Sequence, residues 1–174
     1  MAHLTSRTAA IAFASCVLAG LSVSTPAQAR EVVSFNDSSY SAGTVVIRTS
    51  ERRLYYVLGD GRALRYTVGV GKSGKQWSGT TMISGKHWKP DWAPPAEVKR
   101  DIPSLPNLIR GGAAGNPMGV AAMTLSGGQY AIHGTNKPGS VGGFVSYGCI
   151  RMYNADVADL FGRVSVGTTV VVTR

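Results

Sequence analysis

Residues 53–67, RLYYVLGDGRALRYT, place two runs rich in apolar and aromatic side chains on either side of Gly59-Asp60-Gly61. Central residues that tolerate positive φ between such runs are the strongest short-range signal for a β-hairpin. Leu54, Tyr56 and Leu58 alternate with Tyr55 and Val57, so both faces of the predicted sheet need cover. The same grammar recurs along the chain. A β-branched run occupies residues 44–50, two strand-like runs flank Ser126-Gly127-Gly128 within 119–134, and TTVVVTR closes residues 168–174. Helical spacing is confined to Val157, Leu160, Phe161 and Val164 behind Asn154, a predicted N-cap, and to a short helix opening near Pro95. Residues 71–106 are otherwise rich in Gly, Lys, Trp and Pro and read mostly as loop. The expectation is a mainly β domain, a strand-dominated sandwich with one or two short helices.

The first 29 residues have a different character. Arg7 follows a short start, residues 9–23 are small and mostly apolar, and Ala27-Gln28-Ala29 ends the segment in a small-x-small pattern. That is the layout of a secretory signal peptide, and the apolar run is short for a membrane span. A lipoprotein signal modified at Cys16 would truncate the apolar region, so cleavage after Ala29 is expected, with an exported chain in the periplasm or cell envelope. Residues 30–43 are polar and Ser-rich and read as a flexible leader. Residues 44–174 then form a single domain, with neither an internal repeat nor a linker to mark a second, and no transmembrane segment in the mature chain.

The formal net charge is +9. No dense Lys/Arg run with interleaved aromatics appears, which argues against nucleic acid. An exported basic protein more plausibly meets an anionic envelope polymer or membrane surface, and charge that serves only solubility is the competing reading. Gly69, Gly71 and Gly74 fit a dinucleotide fingerprint in spacing, but no helix pattern follows them, and a phosphate loop would need glycine where Tyr66 stands. No metal is expected, because neither C-x-x-C nor H-x-x-x-H spacing occurs and His87 reads as a loop residue. Trp77, Trp88 and Trp92 read as packing residues, some of which could wall a cleft.

Loss of the first 29 residues removes Cys16 and leaves Cys149, so no internal disulfide can staple the domain. A thiol in an oxidising compartment is a hazard unless buried or used. Its surroundings, HGTNKPGSVGGFVSYGCIRMYN over residues 133–154, favour use. A strand runs out at His133, a Gly/Pro loop follows, and strand pattern resumes at Cys149, an arrangement that can bring two strand ends side by side. A neighbouring imidazole can accept the thiol proton and depress its pKa from the ordinary value of about 8.5. The amides of Gly148 and Cys149 can bind the oxyanion formed when a carbonyl is attacked.

These residues resemble the signature of the L,D-transpeptidase (YkuD-type) family: His-Gly, a loop, then Ser/Thr-x-Gly-Cys, an aliphatic residue and Arg or Asn. The likeness covers most of residues 44–174. It implies a β-sandwich-like catalytic domain that acts on peptidoglycan stem peptides without a cofactor. It also implies Cys149 as nucleophile and His133 as general acid and base. The backbone carbonyl near Gly134 would orient the imidazole, and Ser146 matches a supporting position. Arg151 would steer a substrate carboxylate or else form a structural ion pair with an acid such as Asp156. Two departures stand out. Tyr147 occupies a position where many members have His, so it lines the pocket or packs beside the loop. SGTTMIS stands where many carry T-P-T-G, which leaves the substrate-facing wall open. The implied reaction transfers a stem peptide from a Cys149 thioester to an amine on a second stem, an envelope protein or a D-amino acid. A carboxypeptidase that uses water and a non-catalytic peptidoglycan-binding module are the alternatives.

Overall fold

The computed structural model describes residues 30–128 and 130–174. The expected signal peptide lies outside the described residues. The hairpin that opened the sequence reading forms as β3 (Arg53–Gly59) and β4 (Arg62–Thr67), with Asp60 at φ 50° and Gly61 at φ 66°. Both central residues are left-handed, the twist a two-residue hairpin turn requires. β3 pairs antiparallel with β2 (Val45–Arg48), and β2 pairs in parallel with the C-terminal strand β11 (Thr169–Thr173). The far side of β11 receives β6 (Gly79–Trp88), followed by β7 (Ala121–Leu125), β8 (Ala131–His133) and β10 (Ile150–Arg151). With β1 (Arg30–Ser34) on the outside of β4, these make one sheet of nine strands, and β5 (Val70–Gly71) and β9 (Phe144–Ser146) make a separate parallel pair.

The two layers of the predicted sandwich are thus halves of one continuous sheet. β6 belongs to both: residues 79–82 pair with β11, and residues from Ile83 to Trp88 pair with β7 after a register shift at Ile83/Gly85. Val45, Ile47, Leu54 and Tyr66 from one half meet Met123, Ile132 and Ile150 from the other in a single core, closed by Val157 and Leu160 of α2 (Asn154–Arg163). The period-2 alternation has its expected consequence, since Val46, Tyr55 and Val57 face the opposite way into a second cluster.

That second cluster corrects the reading of residues 30–43 as a flexible leader. β1 pairs with β4 from Arg30↔Tyr66 to Ser34↔Arg62, and Phe35 is buried among Val46, Tyr55, Val57 and Ala63 with Val33 and Tyr40 beside it. The outer face of the hairpin is apolar, and this segment is what keeps water from it. β6 likewise lies within the stretch read mostly as loop, and it carries His87. Its glycines and polar side chains hid a strand that neighbours on both sides hold in place. The helix near Pro95 forms as α1 (Ala96–Asp101). Among the described residues no helix is long and apolar enough to cross a membrane.

Asp156, in the first turn of α2, is buried, and its Oδ2 finds no hydrogen-bond partner among the described residues. Burial pushes its carboxyl up to about 6, with Arg30 opposing and Asp159 reinforcing the shift. A folded-state pKa above the unfolded value means that the folded state loses stability as pH rises from about 4 to about 6. Asp156→Asn should therefore stabilise the domain by about 1 kcal/mol or more at pH 7.5. The gain should vanish at pH 4, and thermal unfolding of both proteins at the two pH values measures it.

Candidate active site

β8 and β10 run in parallel as neighbours, with Ile150 opposite Ile132 and Arg151 opposite His133. Cys149 enters β10 and His133 ends β8, so in this register Cys149 lies level with Ala131, two positions before His133 along the pair. The side chains of Cys149 and His133 line one cavity of about 350 Å³, along with Ser146, Tyr147, Arg151 and Tyr130. His133 is buried, and its Nδ1–H donates to the Gly134 carbonyl at 2.7 Å. That bond selects the tautomer whose Nε2 carries a lone pair, so the ring can accept a proton. Burial and the Arg151 charge pull His133 down to about 4, against the opposing pull of the Gly134 and Pro117 carbonyls. Burial also pushes the Cys149 thiol up, against the Ala131 backbone and the Arg151 charge. The pair therefore rests as neutral thiol and neutral imidazole. The depressed thiol pKa expected from the sequence is not found, because both groups are removed from water. Such a pair can still work by passing the proton during attack.

Asn154 holds the His133 end of β8 in place. Its Oδ1 accepts from the amides of Thr135 at 2.9 Å and Val120 at 3.4 Å, and its Nδ2 donates to the Thr135 carbonyl at 3.0 Å. A side chain on Gly134 would collide with that carboxamide. Asn154 is thus not the N-cap the sequence suggested. Tyr153 occupies that position without a side-chain cap, and Asn154 is spent on the loop beside the site. Sequence reasoning missed this role, since the partners lie far along the chain.

The tight turn into Cys149 is held by three side chains. Ser146, which is buried, accepts from the Gly148 amide at 3.0 Å and donates to the Cys149 carbonyl at 2.6 Å. The Gly148 amide, expected at an oxyanion site, donates to Ser146 Oγ in this structure. Gly148 has φ 119°, and any β-carbon there would run into the ring of Tyr130. Tyr130 in turn stacks on Trp77, centroids 5.1 Å apart and planes 8° from parallel. Trp77 Nε1–H donates to the Gly148 carbonyl at 2.9 Å. Of the other tryptophans, Trp92 lines the cavity and Trp88 packs on Phe161.

Arg151 donates to Ser140 Oγ at 2.9 Å, while its buried Nε has no partner among the described residues. No ion pair with Asp156 forms, which removes the structural alternative for Arg151. The wall opposite the dyad comes from residues 89–119, including Val98, Ile102 and Met118. Asn116 knits this segment by donating to the carbonyls of Pro90, Ile109 and Arg110. Tyr147 joins the wall to the catalytic loop. Its hydroxyl donates to Asp101 at 2.8 Å, and Lys72 Nζ sits 3.7 Å from its ring centroid. SGTTMIS, by contrast, starts β6 and pairs with β11.

Thiol, buried imidazole and basic side chain thus share one cavity beside a two-halved sheet. The chain belongs to the L,D-transpeptidase catalytic domain family, YkuD, whose profile matches residues 42–172. It is 38% identical over 135 residues to the probable L,D-transpeptidase YbiS of Escherichia coli. That match covers 72% of this chain and 43% of the relative, so the chain spans less than half the length of that relative. A structure titled an L,D-transpeptidase from Mycobacterium smegmatis shares the fold at a TM-score of 0.59 and 21% identity, covering 75% of this chain and 58% of that one. Another, from Brucella melitensis and titled a probable carnitine operon oxidoreductase, is 39% identical with a TM-score of 0.55, covering 86% and 96%.

Two outcomes follow from this geometry. Tyr147→Phe should slow single-turnover acylation by less than about tenfold, equivalent to about 1.4 kcal/mol, because the phenol serves Asp101 and not the thiol. A loss as deep as that of His133→Gln would make the phenol a proton carrier. Neutral imidazole persists above about pH 4, so the acid limb of the acylation rate should fall near pH 4 and be absent in His133→Gln. A wild-type limb near the ordinary histidine value would mean that the ring is hydrated when it acts.

Proposed function

We propose that this domain is a peptidoglycan L,D-transpeptidase that works through a Cys149 thioester. The observation that carries the reading is the imidazole of His133, held by Gly134 in the proton-accepting tautomer on the wall that also bears the Cys149 thiol. Cys149 Sγ attacks the carbonyl between an L-centre and a terminal D-residue of a tetrapeptide stem, and His133 Nε2 takes the thiol proton. The tetrahedral oxyanion is met by the amide of Cys149 itself. Collapse expels the D-amino acid, which leaves with the proton from His133. An amine then attacks the thioester, His133 serves as base, and the thiol is regenerated.

Arg151 is the group for a stem carboxylate. It reaches the cavity, carries no acidic partner among the described residues and leaves its Nε without a hydrogen bond. The apolar wall of residues 89–119 excludes water from the thioester, which favours an amine over hydrolysis. The acceptor is a second stem, an envelope protein or a free D-amino acid, and water in its place would make the enzyme an L,D-carboxypeptidase. The layout of residues 1–29 supports export to the periplasm or cell envelope, where these substrates are.

Incubation with a disaccharide-tetrapeptide, followed by mass analysis of protein and products, tests the reading. An acyl-enzyme lacking the terminal D-residue, then a crosslinked dimer, is expected; cleaved monomer alone would mean water is the acceptor. Cys149→Ala should lose at least about 10²-fold in turnover with an unchanged melting temperature. Residual activity above that level would mean that Cys149 is not the nucleophile.

A further inference from the structure

Among the described residues a single acid, Glu97, lines the catalytic cavity, and it is spent on Lys75 and Arg100. Two basic side chains line the same cavity, Arg151 and Lys137, and neither meets a carboxylate among the described residues. The cavity therefore presents two uncompensated positive charges. Both belong to one rim. The Lys137 amide donates to Thr135 Oγ1 at 2.9 Å, and its carbonyl accepts from Ser140 Oγ at 2.5 Å. The same Ser140 oxygen accepts from Arg151 Nη1 at 2.9 Å. The backbone of Lys137 is thus fixed on the loop that follows His133, while the residue itself is exposed and makes no ion pair among the described residues.

A cavity of about 350 Å³ is at the small end for a ligand site, so it takes the residues that flank the scissile bond and little more. One carboxylate there is the terminal group of the leaving D-residue. A second has to be carried by a side chain next to the bond. We propose that Lys137 reads a carboxylate on the side chain of the residue that becomes acylated onto Cys149. Donors with that carboxylate free are then preferred to donors in which it is a primary amide. Arg151 is partly buried, with one nitrogen on Ser140 and a buried Nε that needs an acceptor from any donor, so it does not discriminate. Lys137 does. Its ammonium returns to water when an amide takes the place of the acid, and a carboxylate holds it more strongly than a neutral oxygen does.

This inference rests on the acyl-transfer reading and narrows its substrate, and its test lets the two fail separately. The probes are two disaccharide-tetrapeptides that differ only in that side chain, free acid in one and primary amide in the other. Acylation is followed by mass in single turnover. Wild type should half-saturate at an about three- to fivefold lower concentration of the acid, near the upper end of what an exposed ion pair contributes. Limiting rates should agree within about twofold, since proton transfer belongs to His133. The preference should fade between about 0.05 and about 0.5 M salt, as a contact between hydrated charges does. Lys137→Gln should bring the preference to about one, and Lys137→Arg, which keeps the charge, should retain it. No preference in wild type, a preference that survives Lys137→Gln, or an equal loss with both donors in that variant would overturn the proposal. Wild-type protein that is acylated by neither donor would sink the acyl-transfer reading itself, and this one with it.

Discussion

Parallel pairing between β8 and β10 is the constraint on which the site depends. The register that sets Arg151 opposite His133 brings a histidine and a cysteine from two strand ends to one cavity. Two residues of pairing are too few to hold such a register alone. The rest comes from Asn154, which binds the loop after His133, from the Met152 amide, which donates to the His133 carbonyl at 2.8 Å, and from the reciprocal bonds of Arg151 with Gly69. The sheet supplies the frame, and further backbone bonds together with the Asn154 carboxamide fix the register.

His133 is buried, and Cys149 is half-buried at the same cavity. Burial disfavours both charged forms, so neither imidazolium nor thiolate stands ready, and Arg151 adds to the effect on His133. The cost is a less reactive thiol at rest. The same cavity holds the Arg151 guanidinium, and a charge at a partly buried site is screened less than one in water. Tyr147 stands on the rim of this cavity, its hydroxyl spent on Asp101.

Residues 89–119 show how a wall can be built with little regular structure beyond the short helix α1. Paired bonds between Trp92 and Ile109 close its base, and Asn116 satisfies three carbonyls within it. Its contact with the catalytic half runs through charged and polar groups, Lys75 with Glu97 and Tyr147 with Asp101, while its inner surface is apolar. A polar hinge line around an apolar lining keeps the cavity formed and its rim hydrated.

Residue order alone pointed to most of the strands, to the hairpin turns and to Cys149 and His133 as candidate nucleophile and base, but not to β1 or β6. Alternation, turn residues and the identity of a nucleophile and a base are local properties, visible within a few positions. Ser146 and Arg151 were singled out because they match positions of the family signature around the cysteine. Only the tertiary structure decided that the Gly148 amide is spent on Ser146, that Asn154 braces a loop instead of capping a helix, that β1 covers the second apolar cluster, and that Trp77 reaches Gly148. The last three depend on a hydrogen bond or contact between residues far apart in the chain. A polar group's partner is chosen by what folding brings within 3 Å, and nothing in its own neighbourhood of the sequence encodes that choice.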